Sequence, residues 1–575
     1  MNDAFQKFLT LARTNFWDWQ FYAFLLFCAL TLAFYLLHQK SILKIDKIFD
    51  LPSKFAGKSE LWNYLLIGII QLLLCFLLVL SVGIPVPQTH DEFGFLLAAD
   101  TFLQGKITNP TPFSPRHFEY FHILVEPVYT AKYPPLQGIF LAAGTAFAGY
   151  AIAGVWLSGV LASFAVYWLL RVFFSPRWSL FGACLWIFAP LNILWCDSYW
   201  GGHVAIIGGA LSIGAVVRLL KSGKRKYLII WGAGMFILFN SRLYEAALLT
   251  GILIILWLWN AFKLKNNGRE FYLSLALLCL IFAANLFFTG FYNYKVTGNA
   301  FLLPYRLHHS QYHRTPLFVF ANPDSPKNKI PPVIEKLDER WLADFQQRYA
   351  NAPKAFVWIL ARIPLYIFWL ARSPFLIALF IAGIFLSLQK PRSAEWQSVR
   401  VILALYMVGL FLTTFTGDRF IAPVVGVFLV VATLCAKIIF RKSKFFGLLT
   451  LSTPLVIGSG FLYGLIPVKS DEQAPDITNM GSRSELESFL TVQRGKDLLF
   501  LETADAFPAD ARFYVYNRAD IENAEIIYAH KLTAEENAAL IGHFRDRKIW
   551  LLKNIGNRAV LMKYEGQMEN SNFEE

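Results

Sequence analysis

Asp91 and Glu92 stand side by side just after a long apolar run, in a stretch from Ile84 to Gln137 dense in acids, histidines and prolines. Paired acids at the mouth of a hydrophobic helix are costly to keep near lipid, so chemistry is their default reading. A carboxylate placed there can orient or deprotonate a nucleophile. Asp91 falls at the start of an apparent helix, where the dipole favours the charged carboxylate and suits it to electrostatic orientation. Glu92 points elsewhere and could be structural, and either acid, or Thr89, could cap the helix from Phe93 to Leu103.

Further candidates recur between apolar runs. Asp197 and His203 flank one turn, and Arg242, Tyr244 and Glu245 mark another. Arg306, His308, His309, Tyr312 and His313 crowd the segment from Tyr292 to Asn351, and Asp418 and Arg419 close the series. Most have a plain structural counterpart. Arg242 can pair with Glu245 along a helix, Arg419 can pair with Asp418, Asp197 can sit solvated at a helix end, the histidines can lie on a surface, and Lys132 can anchor at an interface. Asp91, Glu92, His117, His122, Asp197 and His203 could offer oxygen and imidazole donors to a divalent ion, but no spacing among them is diagnostic of a metal.

The elements that must position these residues are membrane helices. A chain of 575 residues that is 56% hydrophobic and 17% aromatic is far more apolar than a soluble domain requires. It is expected to be an all-α polytopic membrane protein. The net charge of +14 lies in short Lys and Arg clusters between apolar runs, as in cytoplasmic loops, so nucleic acid is not an expected partner. The cysteines sit in or beside apolar runs, and disulfides are not expected.

Runs long enough to cross a roughly 30 Å hydrocarbon core fall near 21–37, 62–83, 151–173, 178–195, 203–220, 228–241, 246–262, 271–291, 372–388, 398–416, 420–439 and 446–466, about twelve spans. The first lacks a small-residue cleavage site and reads as an uncleaved anchor. The basic segments 39–60, 171–177, 221–226, 263–269, 390–400 and 437–444 are expected to share the cytoplasmic side, which puts the candidate residues and the tail outside. Two apolar pieces, Leu136 to Phe147 and Ala355 to Leu370, break this parity. They are expected as interfacial helices, because Pro134 and Pro135 open the first and Pro364 interrupts the second.

The polar tail is expected to be a small soluble α/β domain, giving a transmembrane domain over 1–466 and an outer domain over 467–575. Strands are expected at Leu498–Leu501, Phe513–Tyr516, Ile526–Tyr528 and Ile549–Leu552. A helix with a capping box at Thr533 and Glu536 should run on to Phe544.

In this order, an acidic pair after an early span, the helix LLAADTFLQG, then KYPPLQG and a glycine-punctuated helix, the chain resembles the GT-C superfamily of integral-membrane glycosyltransferases. Protein O-mannosyltransferases and lipid A aminoarabinose transferases are the nearest in pattern. Those enzymes carry an acidic pair in the first outer loop and then Lys-Pro-Pro-Leu; here Lys132-Tyr133-Pro134-Pro135-Leu136 has one residue inserted. The resemblance covers roughly Trp62 to Pro467. It implies a sugar donor on a polyprenyl phosphate, an acceptor lipid, glycan or protein, and inverting transfer at the outer face of a bacterial inner membrane. Asp91, Glu92 and Asp197 would then be the catalytic acids, and Lys132, Arg306 and Arg419 would hold the donor phosphate. Tyr133, His203, Arg242, Glu245, His308, His309 and Tyr312 would be the further substrate-binding candidates. No cofactor is implied as certain, and a divalent metal is compatible with the family. A flippase for lipid-linked glycans, or an envelope assembly protein that has lost activity, would also want many spans and a polar outer cleft. A flippase would usually place ionisable groups at mid-membrane on broken helices.

Overall fold

The structure is a computed structural model and describes residues 59–263, 268–326, 330–391, 393–465, 482–492, 495–502, 511–555 and 558–564. The expected span at 21–37 lies outside these residues. The chain forms two compact units, each assembled from three stretches of sequence. One comprises Met1–Pro85, Phe147–Phe287 and Asn351–Val468, and the other Val86–Ala146, Phe288–Ala350 and Lys469–Glu575.

Among the described residues, eight helices are long and apolar enough to cross a membrane, and a ninth span is formed if Pro176–Ile187 and Pro190–Cys196, bent by 58°, are taken as one. Pro190 begins the second half of that pair, where a missing N–H costs nothing. Two of the expected spans form helices too short to cross by themselves. Lys226–Phe239 has 14 residues, a rise of only about 21 Å, and Pro374–Leu388 is similarly short. The expected interfacial piece at 355–370 is overturned in one respect. Ala352–Ala371 is a continuous helix that runs through Pro364 and is itself long and apolar enough to cross. Leu136–Ala148 forms the other expected short helix.

The first unit is an apolar bundle tied together by small and polar residues. A Cβ at Gly209 would lie 1.9 Å from the Pro423 carbonyl oxygen, so only glycine permits that backbone contact. Ser163 donates to Gln71 Oε1 at 3.0 Å, and Asn192 donates to the same oxygen at 3.3 Å. Arg362, fully buried, donates to the carbonyls of Thr413 at 2.7 Å and Thr414 at 3.0 Å, just beyond the Ala394–Phe411 helix.

The second unit holds two small sheets. Strands β1 (Ile123–Leu124) and β2 (Thr130–Ala131) form an antiparallel hairpin. Strands β3 (Asp497–Glu502), β4 (Ile526–His530), β5 (Lys548–Ile555) and β6 (Arg558–Lys563) form a sheet of order β4-β3-β5-β6. Strand β3 lies parallel to both its neighbours, and its run DLLFLE is buried residue after residue through Leu501, as a covered parallel strand requires. The tail shares one hydrophobic core with the other two stretches of its unit: Phe93, Phe121 and Tyr312 pack with Leu499, Phe500 and Tyr516. The capping-box helix runs over Ala534–His543. Phe513–Tyr516 forms no strand; a short 3-10 turn ends at Phe513.

Candidate active site

The two acids occupy the first turn of the His90–Leu103 helix and have separate partners. Glu92 reaches back to the helix start. Its Oε2 accepts from the backbone N–H of Gln88 at 2.8 Å, the N–H of Thr89 at 2.9 Å and the Thr89 hydroxyl at 3.1 Å. This is the carboxylate half of a capping box, a structural use of the acid. Asp91 turns to a different neighbour. Its Oδ1 accepts from the Tyr133 hydroxyl at 2.5 Å, and its Oδ2 lies 3.8 Å from His122 Nε2.

The β1–β2 hairpin brings these partners to the acid. At its open end the N–H of Lys132 donates to the His122 carbonyl at 3.0 Å, so His122, Lys132 and Tyr133 arrive together. Gly94, one turn along from His90, makes room for the tyrosine; a Cβ there would come within 3.2 Å of the ring. Lys132 is almost fully buried, with its ammonium 4.3 Å from the centre of the Tyr305 ring. That arrangement gives a desolvated cation an aromatic face.

The Pro304–Tyr312 helix, opened by a proline at its first turn, supplies the other wall. His308 is fully buried, and its Nε2 accepts the backbone N–H of His122 at 3.1 Å. Burial drives His308 well below the usual histidine range, and the positive charge of Lys132 adds to the shift. Burial likewise holds His309 at about 3 and His90 at about 4, and again Lys132 pushes in the same direction. The cluster therefore sets neutral imidazoles around the Lys132 ammonium and the Asp91 carboxylate.

The remaining candidates of this unit have structural partners. Arg306 is 48% exposed and donates to Asp324 at 2.8 Å. Tyr312 donates to Glu119 at 3.2 Å, and His313 pairs with Asp338 at 3.3 Å.

In the helical unit, Asp197 caps the Pro190–Cys196 helix at its C-terminal end. His203 is fully buried beside Trp186 and Trp195, with Nε2 2.9 Å from Asn192 Oδ1, and so belongs to the bundle's polar tie. Arg242, just ahead of the Leu243–Lys263 helix, stands 3.9 Å from Glu245 in the first turn of that helix. Arg419 lies with its guanidinium 4.8 Å from the centre of the Trp200 ring, while neighbouring Asp418 accepts from Arg372 at 2.8 Å.

Among the described residues no group of three or more His, Cys, Asp or Glu is placed to hold a metal ion.

Sequence reasoning passed over Tyr305 and gave His122 no role beyond metal ligation. A signal for His122 was present. The run HILVEPVYTAK sets β-favouring residues on both sides of a Glu-Pro turn, a hairpin pattern that places His122 opposite Lys132.

The chain is a mostly helical, multi-pass membrane protein with a buried carboxylate, tyrosine, lysine and histidine cluster in its second unit. No family model matches it, and no curated protein does. Among solved structures it is similar to ArnT from Cupriavidus metallidurans bound to undecaprenyl phosphate, with 11% identity, a TM-score of 0.47, and coverage of 86% of this chain and 97% of that one. It is also similar to the oligosaccharyltransferase of Archaeoglobus fulgidus in the apo form, with 13% identity, a TM-score of 0.45 and coverage of 79% of this chain. This chain spans 64% of that enzyme's length. The same archaeal enzyme, AglB, has been solved with an inhibitory peptide and a dolichol-phosphate, and the similarity there is 13% identity at a TM-score of 0.45, covering 84% of this chain and 69% of that one.

Proposed function

We propose that this protein is an inverting membrane glycosyltransferase that moves a sugar from a polyprenyl-phosphate donor to an acceptor at the outer face of a bacterial cytoplasmic membrane. The observation that carries the reading is the pairing of Asp91 with Tyr133 on one side of the pocket and the buried ammonium of Lys132 on the same hairpin. Displacement at an anomeric carbon passes through an oxocarbenium-like state. It calls for a carboxylate beside the incoming nucleophile and a cation at the departing phosphate, and this pocket has both. Tyr133 fixes the orientation of the Asp91 carboxylate, and Lys132 offers the leaving phosphate a desolvated positive charge. Asp91 is the catalytic carboxylate in this reading. Glu92 builds the helix that presents it.

The test is mass spectrometry of envelope lipids, glycans and glycoproteins from cells lacking the protein, complemented with wild type or Asp91→Asn at matched abundance. Wild type should restore a sugar-bearing species and Asp91→Asn should not, and the missing mass names the sugar and acceptor. Equal restoration by both refutes the assignment of Asp91.

A further inference from the structure

His122 has a left-handed backbone, φ +65°, that few L-residues adopt, histidine doing so more often than most, as asparagine and aspartate do. Strain of this kind costs about 1–3 kcal/mol and persists only where surrounding structure holds it. Here the restraint is visible. The N–H of His122 donates to His308 Nε2, and its carbonyl accepts from the N–H of Lys132, so both sides of the residue are fixed. Because His308 accepts at Nε2, its proton sits on Nδ1, and a neutral buried imidazole is thereby used as a backbone clamp. The result of the clamp is that His122 Nε2 faces Asp91 Oδ2.

We infer that His122 is a second catalytic residue, which takes over the proton that Asp91 removes from the acceptor, and that His308 is the positioning residue that aims it. This rests on the glycosyl-transfer reading. In the step, the acceptor O–H breaks as its oxygen bonds to the anomeric carbon, and the bond from that carbon to the phosphate oxygen breaks with its electron pair leaving on the polyprenyl phosphate. The proton goes to the Asp91 carboxylate and then to His122 Nε2, which restores the carboxylate and later releases the proton to water. The groups facing His122 are His90 and Asp91 from the acid-bearing helix, Lys132 and Tyr133 from the hairpin, and His308 from the facing wall. Burial removes His90 and His308 from titration near neutrality.

The test measures how fast the sugar-bearing species reappears in complemented cells as the external pH is varied between about 5.5 and 8. His122→Asn is the variant of choice, since asparagine tolerates the left-handed backbone. His122→Asn should be slower by about a hundredfold, and the pH dependence of the wild-type rate should be lost in it. His308→Gln, which keeps an acceptor for the N–H, should recover most of the rate lost in His308→Ala. A His122→Asn protein with the wild-type rate and pH dependence overturns this inference alone. Failure of wild type to restore any sugar-bearing species overturns the glycosyl-transfer reading and this inference with it.

Discussion

Two adjacent acids that look interchangeable on paper should respond to mutation in opposite ways. Glu92 accepts three hydrogen bonds from the residues that open its helix. Glu92→Ala leaves those donors to find water, at the roughly 0.5–2 kcal/mol typical of a lost cap. In a unit of this size that lowers the melting temperature by a few degrees, at about 2–4 °C per kcal/mol. Glu92→Gln keeps an acceptor oxygen and should recover most of the stability, with transfer close to wild type. Asp91→Asn also keeps an acceptor for the Tyr133 hydroxyl, so its melting temperature should stay near wild type. Its transfer rate should nevertheless fall by about 10²–10⁴-fold, equivalent to roughly 3–5 kcal/mol of barrier. Thermal melts of the purified protein in detergent, read beside recovery of the sugar-bearing species in cells, separate the two effects. An inactive Glu92→Gln at wild-type stability, or an active Asp91→Asn, refutes the division of roles.

Tyr133→Phe removes a hydrogen bond to a carboxylate, worth about 1.5–3 kcal/mol, and should slow transfer by roughly ten- to a hundredfold while the protein still accumulates; an unchanged rate would show that Asp91 needs no such restraint. Arg362→Met strips a buried cation from the carbonyls of Thr413 and Thr414, and should cost about 3 kcal/mol or more through unsatisfied buried acceptors, visible as a large fall in melting temperature. The pH dependence of stability has a definite sign. Burial holds His90 and His530 at about 4, whereas an unfolded histidine titrates near 6.5. The unfolded chain therefore binds more protons between about pH 6.5 and 4, and the second unit should lose stability as pH falls through that window, by about 1 kcal/mol per unit for each histidine. Melts that are flat between about pH 7 and 5 would contradict this.

Membrane helices were legible in the sequence wherever apolar length alone decides them, as at Glu60–Val82 and Gly202–Ser222. Pro364 misled, because a proline inside a helix removes one hydrogen bond without ending the helix when the rest of it is long and apolar. In the tail, the run at β3 and the capping box at Thr533 were readable as local patterns. Tyr514 and Tyr516 carry the same alternation as a strand but are spent in the shared core, where Tyr516 packs flat on Phe93. Asp91 and Lys132 could be picked out as unusual residues beside apolar runs. Tyr133, His122 and His308 were named too, but not their links, because Tyr133 and His122 reach Asp91 through a hairpin, and His308 is separated from His122 by 186 residues.

The hydroxyl of Tyr516 donates to the Phe121 carbonyl at 2.9 Å across 395 residues of chain, and it lies 3.0 Å from the His90 ring nitrogen. Tyr516 thus supports, from far along the chain, a site whose acids are made long before it. At synthesis rates of about 5–20 residues per second, the ribosome needs roughly 20 to 80 s to travel from one to the other. During that interval the acids are without the Tyr516 contacts. A stop codon placed before Tyr516 should leave Phe121 and His90 without that support, and cells carrying only the shortened chain should then show no sugar-bearing species by mass spectrometry.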